Sequence, residues 1–295
     1  MAAHDADVER KSSTASPTAG GGTGLLSRQT LVGRDAELAA LAAALARAAS
    51  GHGRVVALKV TSPSVSPRGA DRDALAAQFA RLATLRHPNL VALLGVPWAR
   101  RAAVLVMEYC AGGNLGDRLK VRGGRLPLAE AVALLRGCLV GLAHAHAKGY
   151  VHRNIKPANI LLDGAAEPVA KLGDLGVAAA LESVGLLGMT ATCRRPIDYQ
   201  YLPPDAWSRY AEDDPRHDLW SLAAVFHRAL AGRMPRDFGG RDPIAVVLHD
   251  DIPPLQSVEP TVPPAVARVI DRALCRDVRA RFPSAPEMLD ALDAA

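Results

Sequence analysis

Tyr150-Val-His-Arg-Asn-Ile-Lys-Pro-Ala-Asn-Ile-Leu-Leu162 decides how the rest of this chain reads. Just upstream, Val132, Leu135, Leu139 and Leu142 recur at helical spacing, which predicts a core helix over about 127–148 ending at Gly149. Just downstream, Ile160, Leu161 and Leu162 read as one arm of a short hairpin, with Val169 and Leu172 in the other. His152, Arg153, Asn154, Lys156 and Asn159 therefore fall in the connection between a core helix and an apolar hairpin.

This connection resembles the catalytic loop of the protein kinase family, H-R-D-x-K-x-x-N, with Asn154 where the family has Asp. That Asp accepts the proton of the substrate hydroxyl or orients it for attack, and an amide cannot take the proton at neutral pH. Other pieces follow in the family's order. Asp174-Leu-Gly176 resembles the metal-binding D-F-G, and Tyr201-Leu-Pro-Pro-Asp205 the A-P-E element. His217-Asp218-Leu-Trp-Ser-Leu222 resembles the start of the buried central helix, and Arg281-Phe-Pro-Ser284 supplies the Arg that pairs with the A-P-E acid, here Asp205. Upstream, Val55-Val-Ala-Leu-Lys59-Val60 resembles the strand V-A-I-K. Arg86-His-Pro-Asn-Leu90 is similar to the H-P-N-I-V that follows the mobile helix, and Leu105-Val-Met-Glu-Tyr109 to the strand entering the hinge, with Met107 as gatekeeper. The likeness covers about residues 31–293.

The resemblance implies an α+β, two-lobed fold: a small β-rich lobe with one main helix, and a large helical lobe. Residues 1–30, rich in Ser, Thr, Gly and Pro, read as a disordered tail; 31–107 form the small lobe, 108–113 the hinge and 114–293 the large lobe. The helix of the small lobe is predicted over Ala70–Leu85, with Leu75, Phe79 and Leu82 on one face. Strands are expected at Val91–Val96 and Ala102–Met107, and further helices at about 218–231, 242–250, 263–275 and 285–293.

The resemblance also assigns roles. Asn154 and Lys156 occupy the catalytic positions; Lys59, Ala57, Met107, Glu108, Cys110 and Leu161 the nucleotide positions; and Asn159 and Asp174 the metal positions. ATP with Mg²⁺ or Mn²⁺ is the implied cofactor, weakly held. Structural and regulatory places fall to Gln78, His152, Arg153, Asp205, Asp218 and Arg281. Leu82, His152 and Leu175 are expected to stack between the lobes, and Arg153 to receive a phosphate from Ser183, Thr190 or Thr192. The chain is poor in lysine (Lys11, Lys59, Lys120, Lys148, Lys156 and Lys171), yet two of the six stand where the family needs a compact ammonium.

Four departures from the family matter. Asn154 removes a positioned proton acceptor, a loss of typically about 10²- to 10⁴-fold. The stretch Val32–Ala49, where a glycine-rich phosphate loop belongs, contains only Gly33 and is helix-prone. Gln78 takes the place of the helix Glu, so it can hydrogen-bond Lys59 but form no ion pair with it. Pro196-Ile-Asp-Tyr-Gln-Tyr201 replaces G-T-x-x-Y, which puts Asp198 in the place of a Thr that contacts the catalytic Asp and Lys.

Composition bounds the rest. A net charge of +5, without a dense basic run or interleaved aromatics, implies no nucleic-acid partner. Cys110, Cys138, Cys193 and Cys275 lack metal-ligand spacing and fit a reducing cytoplasm. Leu126–His146 comes nearest to a membrane span but carries Glu130 and Arg136 and reads as a core helix, so no span is expected. The partners implied are proteins: an active kinase, a substrate or a phosphopeptide-binding protein. The function expected is that of a Ser/Thr kinase homologue with impaired or absent phosphotransfer, a scaffold or allosteric partner; the alternative is a weakly active ATP-dependent kinase. Leu31–Leu58 also resembles the entry to an NTPase domain of signalling regulators, but no P-loop follows Lys59. Lys156, Asp205 and the Asp218 helix favour the protein-kinase branch over small-molecule phosphotransferases of similar fold.

Overall fold

A computed structural model describes residues 55–60, 70–99, 102–164, 167–177, 180, 198–207 and 214–295. The tail, the stretch that replaces the glycine-rich loop, Cys193, and the acceptor candidates Ser183, Thr190 and Thr192 lie outside the described residues.

The small lobe is an antiparallel sheet with a helix behind it. Strand β1 (Val56–Val60) pairs with β4 (Ala102–Glu108), which also pairs with β2 (Leu93–Gly95) and β3 (Trp98–Ala99). Ala57 lies opposite Met107, and Lys59 opposite Leu105. β4 is largely apolar, and its centre, Ala103–Val106, is buried, as suits the middle of a sheet. Helix α1 (Ala70–Leu82) starts with Asp71 and Asp73 and ends with Arg81, charges that complement its dipole. Its buried stripe is the predicted one, Leu75, Phe79 and Leu82, packed against Leu93, Ala103 and Leu105 of the sheet. The helix stops at Leu82 and not at Leu85: Thr84 and Leu85 close a last turn with bonds to the carbonyls of Arg81 and Leu82. β2 is likewise shorter than Val91–Val96, because a register shift between Leu93 and Gly95 interrupts the ladder.

The large lobe is built on two buried helices. Between the hinge and the first of them lies a short helix, α2 (Leu115–Val121), that sequence periodicity does not reveal; Asn114 caps it by accepting from the Asp117 N–H. Helix α3 (Leu128–Ala147) buries Leu134, Leu135, Leu139 and Leu142 in the main core. Among described helices, α3 is long and apolar enough to cross a membrane by length and composition alone. After α3 comes the hairpin β5 (Ile160–Asp163) and β6 (Val169–Leu172), with Ile160 opposite Leu172. Helix α4 (Pro215–Ala231) is capped by Asp214, carries Pro at its first position and ends on Gly232 in the left-handed region (φ 73°). It is buried nearly all round, as befits the central helix of a globular lobe. α5 (Pro243–His249), the single turn α6 (Leu255–Val258), α7 (Pro264–Ala273) and α8 (Ala285–Asp293) complete the lobe. α8 opens with a reciprocal cap: Ser284 accepts from the Glu287 N–H and donates to the Glu287 carboxylate.

Candidate functional site

The loop between α3 and β5 is held from below. Asp218, on the first turn of α4 and 1% exposed, accepts from the backbone N–H of His152 (2.7 Å) and of Arg153 (2.8 Å), and contacts His146 Nε2 at 2.9 Å. Its carboxylate thus fixes the backbone of Arg153, which lies at φ 62°, a costly place for a residue with a side chain. The loop is closed at its other end by Asn159, whose amide donates to the Asn154 carbonyl (2.8 Å) and whose own carbonyl accepts from Gly173 N–H (2.8 Å). Asn154 presents a half-buried side chain that makes no hydrogen bond among the described residues.

Gly173 leads directly into Asp174, the second non-glycine residue at positive φ (62°). Its carboxylate meets Lys59 from β1 at 2.5 Å, across a separation of 115 residues. Gln78, which takes the place of the helix Glu, makes no hydrogen bond among the described residues, and Lys59 pairs with Asp174 instead. The reason is electrostatic. A carboxylate is a far better partner for an ammonium than an amide is, and charge-assisted bonds are roughly twice as strong as neutral ones.

Around this pair the cleft is apolar. Leu82, Leu85, Leu90, Leu93, Met107 and Leu175 line a cavity of about 30 Å³ that Asp174 borders, room for a water. Leu82 and Leu175 meet here as predicted, and Leu175 touches the cores of both lobes. His152, expected in the same stack, is buried, and neither of its ring nitrogens is hydrogen-bonded among the described residues. Gly176 (φ 68°) passes so near that a Cβ there would stand 2.5 Å from Leu82. On the hinge side, Ala57 and Met107 share a register position, and Leu161 bridges to Asn114. Cys110 is buried, and its thiol is pushed up to about 11 by that burial together with the charges of Glu108 and Asp163.

Two polar anchors complete the frame. Asp205 contacts Arg281 Nη2 at 2.5 Å and His217 Nε2 at 2.8 Å, which is the predicted acid–Arg pair with a histidine added. Burial opposes ionisation of Asp205, but the bonds from His217 and Arg281 outweigh it and hold the carboxyl well below the usual range. The sign is therefore that of a depressed acid: its stabilisation is whole above the unfolded-state pKa, about 4, and is lost as pH falls below it. Urea denaturation of wild type and Arg281→Met at a series of pH values should show a stability gap that is widest near neutrality and narrows below about pH 4.

Sequence reasoning missed several contributors. Lys171, only 9% exposed, reaches from β6 to Glu108 at 2.8 Å, so the Glu108 side chain ties the hinge to the large lobe while its Oε2 accepts from Ala92 N–H. The scarcity of lysine was the signal that could have found it. Arg236, 4% exposed and stacked 4.5 Å over Trp220, donates to the carbonyls of Tyr199 and Leu202 and exchanges two bonds with Gln200. Burial brings its pKa down to about 10. These contacts hold the segment that begins at Asp198 against α4 and the residues that follow it. Loss of hydration raises the Asp198 carboxyl, against the pull of Lys156 and Arg228.

A lysine on a sheet strand facing an aspartate after a hairpin, over a loop pinned by the first turn of a buried helix, is one arrangement in one order. Residues 42–291 match the protein kinase domain family model. The chain belongs to the protein kinase family. It is 34% identical to the serine/threonine-protein kinase PknJ of Mycobacterium tuberculosis over 248 residues, 82% of this chain and 41% of that one. It is 32% identical to CBL-interacting protein kinase 8 of rice over 63% of this chain and 40% of that one. The chain thus spans about two-fifths of the length of these relatives. Among solved structures, the kinase domain of Mycobacterium tuberculosis PknI matches with a TM-score of 0.62 and 26% identity, over 81% of this chain and 85% of that one. This kinase-family chain is thus an α+β, two-lobed homologue of bacterial Ser/Thr kinases.

Kinases of this family use ATP with a divalent cation, and the donors here suit one. Asp174 offers a carboxylate oxygen and Asn159 an amide oxygen, hard ligands of the kind Mg²⁺ takes alongside water and phosphate. Among the described residues, no cluster of three or more acidic, His or Cys side chains forms a self-sufficient metal cage. Bound there, the cation would neutralise phosphate charge. Lys59 would supply the second positive charge, provided Asp174 releases it.

Proposed function

We propose that this kinase homologue has impaired or absent phosphotransfer and acts in signalling as a scaffold or allosteric partner for other proteins. The observation that carries this reading is the state of the cleft. Its loop is held in place by Asp218 and Asn159 but presents the amide of Asn154 where a proton acceptor belongs. Its phosphate lysine is locked onto the metal aspartate. Gln78 offers Lys59 no competing charge, so a nucleotide must break the Lys59–Asp174 pair unaided, and binding is weak. The partners are an active kinase, a substrate or a phosphopeptide-binding protein, and the location is cytoplasmic.

A second reading, a weakly active Ser/Thr kinase, draws on the presence of Lys59, Lys156, Asn159 and Asp174 at the family's phosphate, catalytic and metal positions in the sequence. Polar residues of this kind add little to packing.

A thermal-stability titration with ATP, with and without Mg²⁺ or Mn²⁺, tests the nucleotide part. A ligand present at about 100 times its Kd adds roughly 2.7 kcal/mol. The expected result is a small, metal-dependent rise in Tm that needs millimolar ATP and vanishes in Asp174→Ala. A large rise at micromolar ATP would defeat the weak-binding reading. No rise at millimolar ATP would leave the scaffold without its nucleotide.

A further inference from the structure

The loop between α1 and β2 is one joint by which the small lobe grips the large one. Asn89 donates from its side chain to the Ala170 carbonyl (2.9 Å), and its own carbonyl accepts from Leu172 N–H (2.9 Å). Val91 N–H donates back to the Leu172 carbonyl (3.0 Å). α3 leaves room for this loop with Gly137 and Gly141; a Cβ at Gly141 would stand 2.7 Å from the Asn89 carbonyl oxygen. At the head of the loop, the ring of His87 stacks on His144 of α3, centroids 4.9 Å apart and planes 28° from parallel. The Asn89 N–H donates to His87 Nδ1 (3.1 Å), so Nδ1 carries a lone pair and the ring is neutral in this geometry.

We propose that the His87–His144 stack is a proton-sensitive latch, closed while His87 is neutral, that holds the α1–β2 loop against α3. Every charged group that bears on His87 is a cation or becomes one. From α3 it faces His144, and from β6 Lys171, whose carboxylate partner is Glu108 on β4. Within its own loop, Arg86 turns its guanidinium to the carbonyls of Leu85 and Leu93. No Asp or Glu contacts the ring among the described residues. Burial, with the charges of His144 and Lys171, lowers the His87 pKa from its ordinary value. Protonation of Nδ1 removes the bond from Asn89 and sets a new cation against Lys171 and His144. The latch therefore contributes fully above the unfolded-state pKa, about 6.5, and releases as pH falls below it. Release loosens the head of the loop against α3 while the Asn89 and Val91 bonds to β6 remain, and the change reaches α1, whose end carries Leu82 and Leu85 into the wall of the cleft. The site is independent of whether the chain transfers phosphate.

Three variants of the full chain test this. His87→Gln keeps an acceptor for Asn89 N–H and never charges. His144→Phe keeps the stacked ring and removes the opposing charge. His227→Gln serves as the control, because His227 also has a pKa lowered by burial. Tm is measured at about pH 7.5 and about pH 5.5, and the His87 ring is titrated by NMR. The latch predicts that His87→Gln loses less Tm on acidification than wild type, whereas His227→Gln retains the part due to His87. It also predicts a His87 midpoint below the ordinary histidine value in wild type that moves up in His144→Phe. Equal acid losses in wild type and His87→Gln would overturn the proposal. So would a His87 midpoint that His144→Phe leaves in place, a readout that stands even where His87→Gln fails to fold.

Discussion

Asn154→Asp is expected to raise ATP-dependent phosphate incorporation into a Ser/Thr protein substrate by about 10²-fold or more. The exchange is nearly isosteric, and no hydrogen bond of the Asn154 side chain is lost, because it makes none among the described residues. What holds the loop is its backbone, through the Asn154 carbonyl and the N–H groups of His152 and Arg153. Those anchors are indifferent to whether residue 154 carries an amide or an acid. The new carboxylate would therefore arrive already positioned, and positioning is most of what phosphoryl transfer asks of a protein. The measurement is initial rate against wild type, with Asn154→Asp/Asp174→Ala as the background. A rate unchanged from wild type would mean that Gln78 and the missing glycine-rich loop, and not Asn154, set the limit.

Asp218→Ala should cost about 3–5 kcal/mol of stability, the largest loss from any one side chain in the loop's support. Asp218 is 1% exposed and bonded to His152 N–H, Arg153 N–H and His146 Nε2. Removing it leaves buried donors without acceptors and deprives Arg153 of what keeps it at positive φ. Urea denaturation reads the loss directly, with the m-value showing whether the folded state is the same. A cost below about 1 kcal/mol, the scale of a solvent-exposed pair, would show that the carboxylate is dispensable.

The parts of this molecule that the chain announces are those written in local chemistry. The stripe Leu75, Phe79 and Leu82 announces α1 by its period, and Gly149 and Gly232 mark the ends of α3 and α4 by their freedom at positive φ. Asp218 and the Asp205–Arg281 pair were legible because both belong to motifs with fixed roles. α2 was not: a seven-residue helix holds too few turns for a period to emerge, and glycines flank it. The choice of Lys59 between Gln78 and Asp174 was equally hidden. It is made in space between residues 115 apart, and spacing along the chain carries no trace of it. The same is true of Glu108 with Lys171 and of His87 with His144. The clamp of Arg236 on Tyr199 and Leu202 also joins distant segments, so the segment from Asp198 looked like a bare departure until its partner was seen.

We propose that the chain keeps a kinase's frame while its phosphotransfer is impaired or lost. The intact mass of the purified protein after prolonged incubation with ATP and Mg²⁺ or Mn²⁺, alone and with a Ser/Thr protein substrate, tests it most directly. Wild type and Asp174→Ala should be indistinguishable, or differ by a small fraction of the chains, with no phosphoryl increment on the substrate. Stoichiometric phosphorylation of either protein within minutes, abolished by Asp174→Ala, would contradict it and would make Asn154 a working residue of an active kinase.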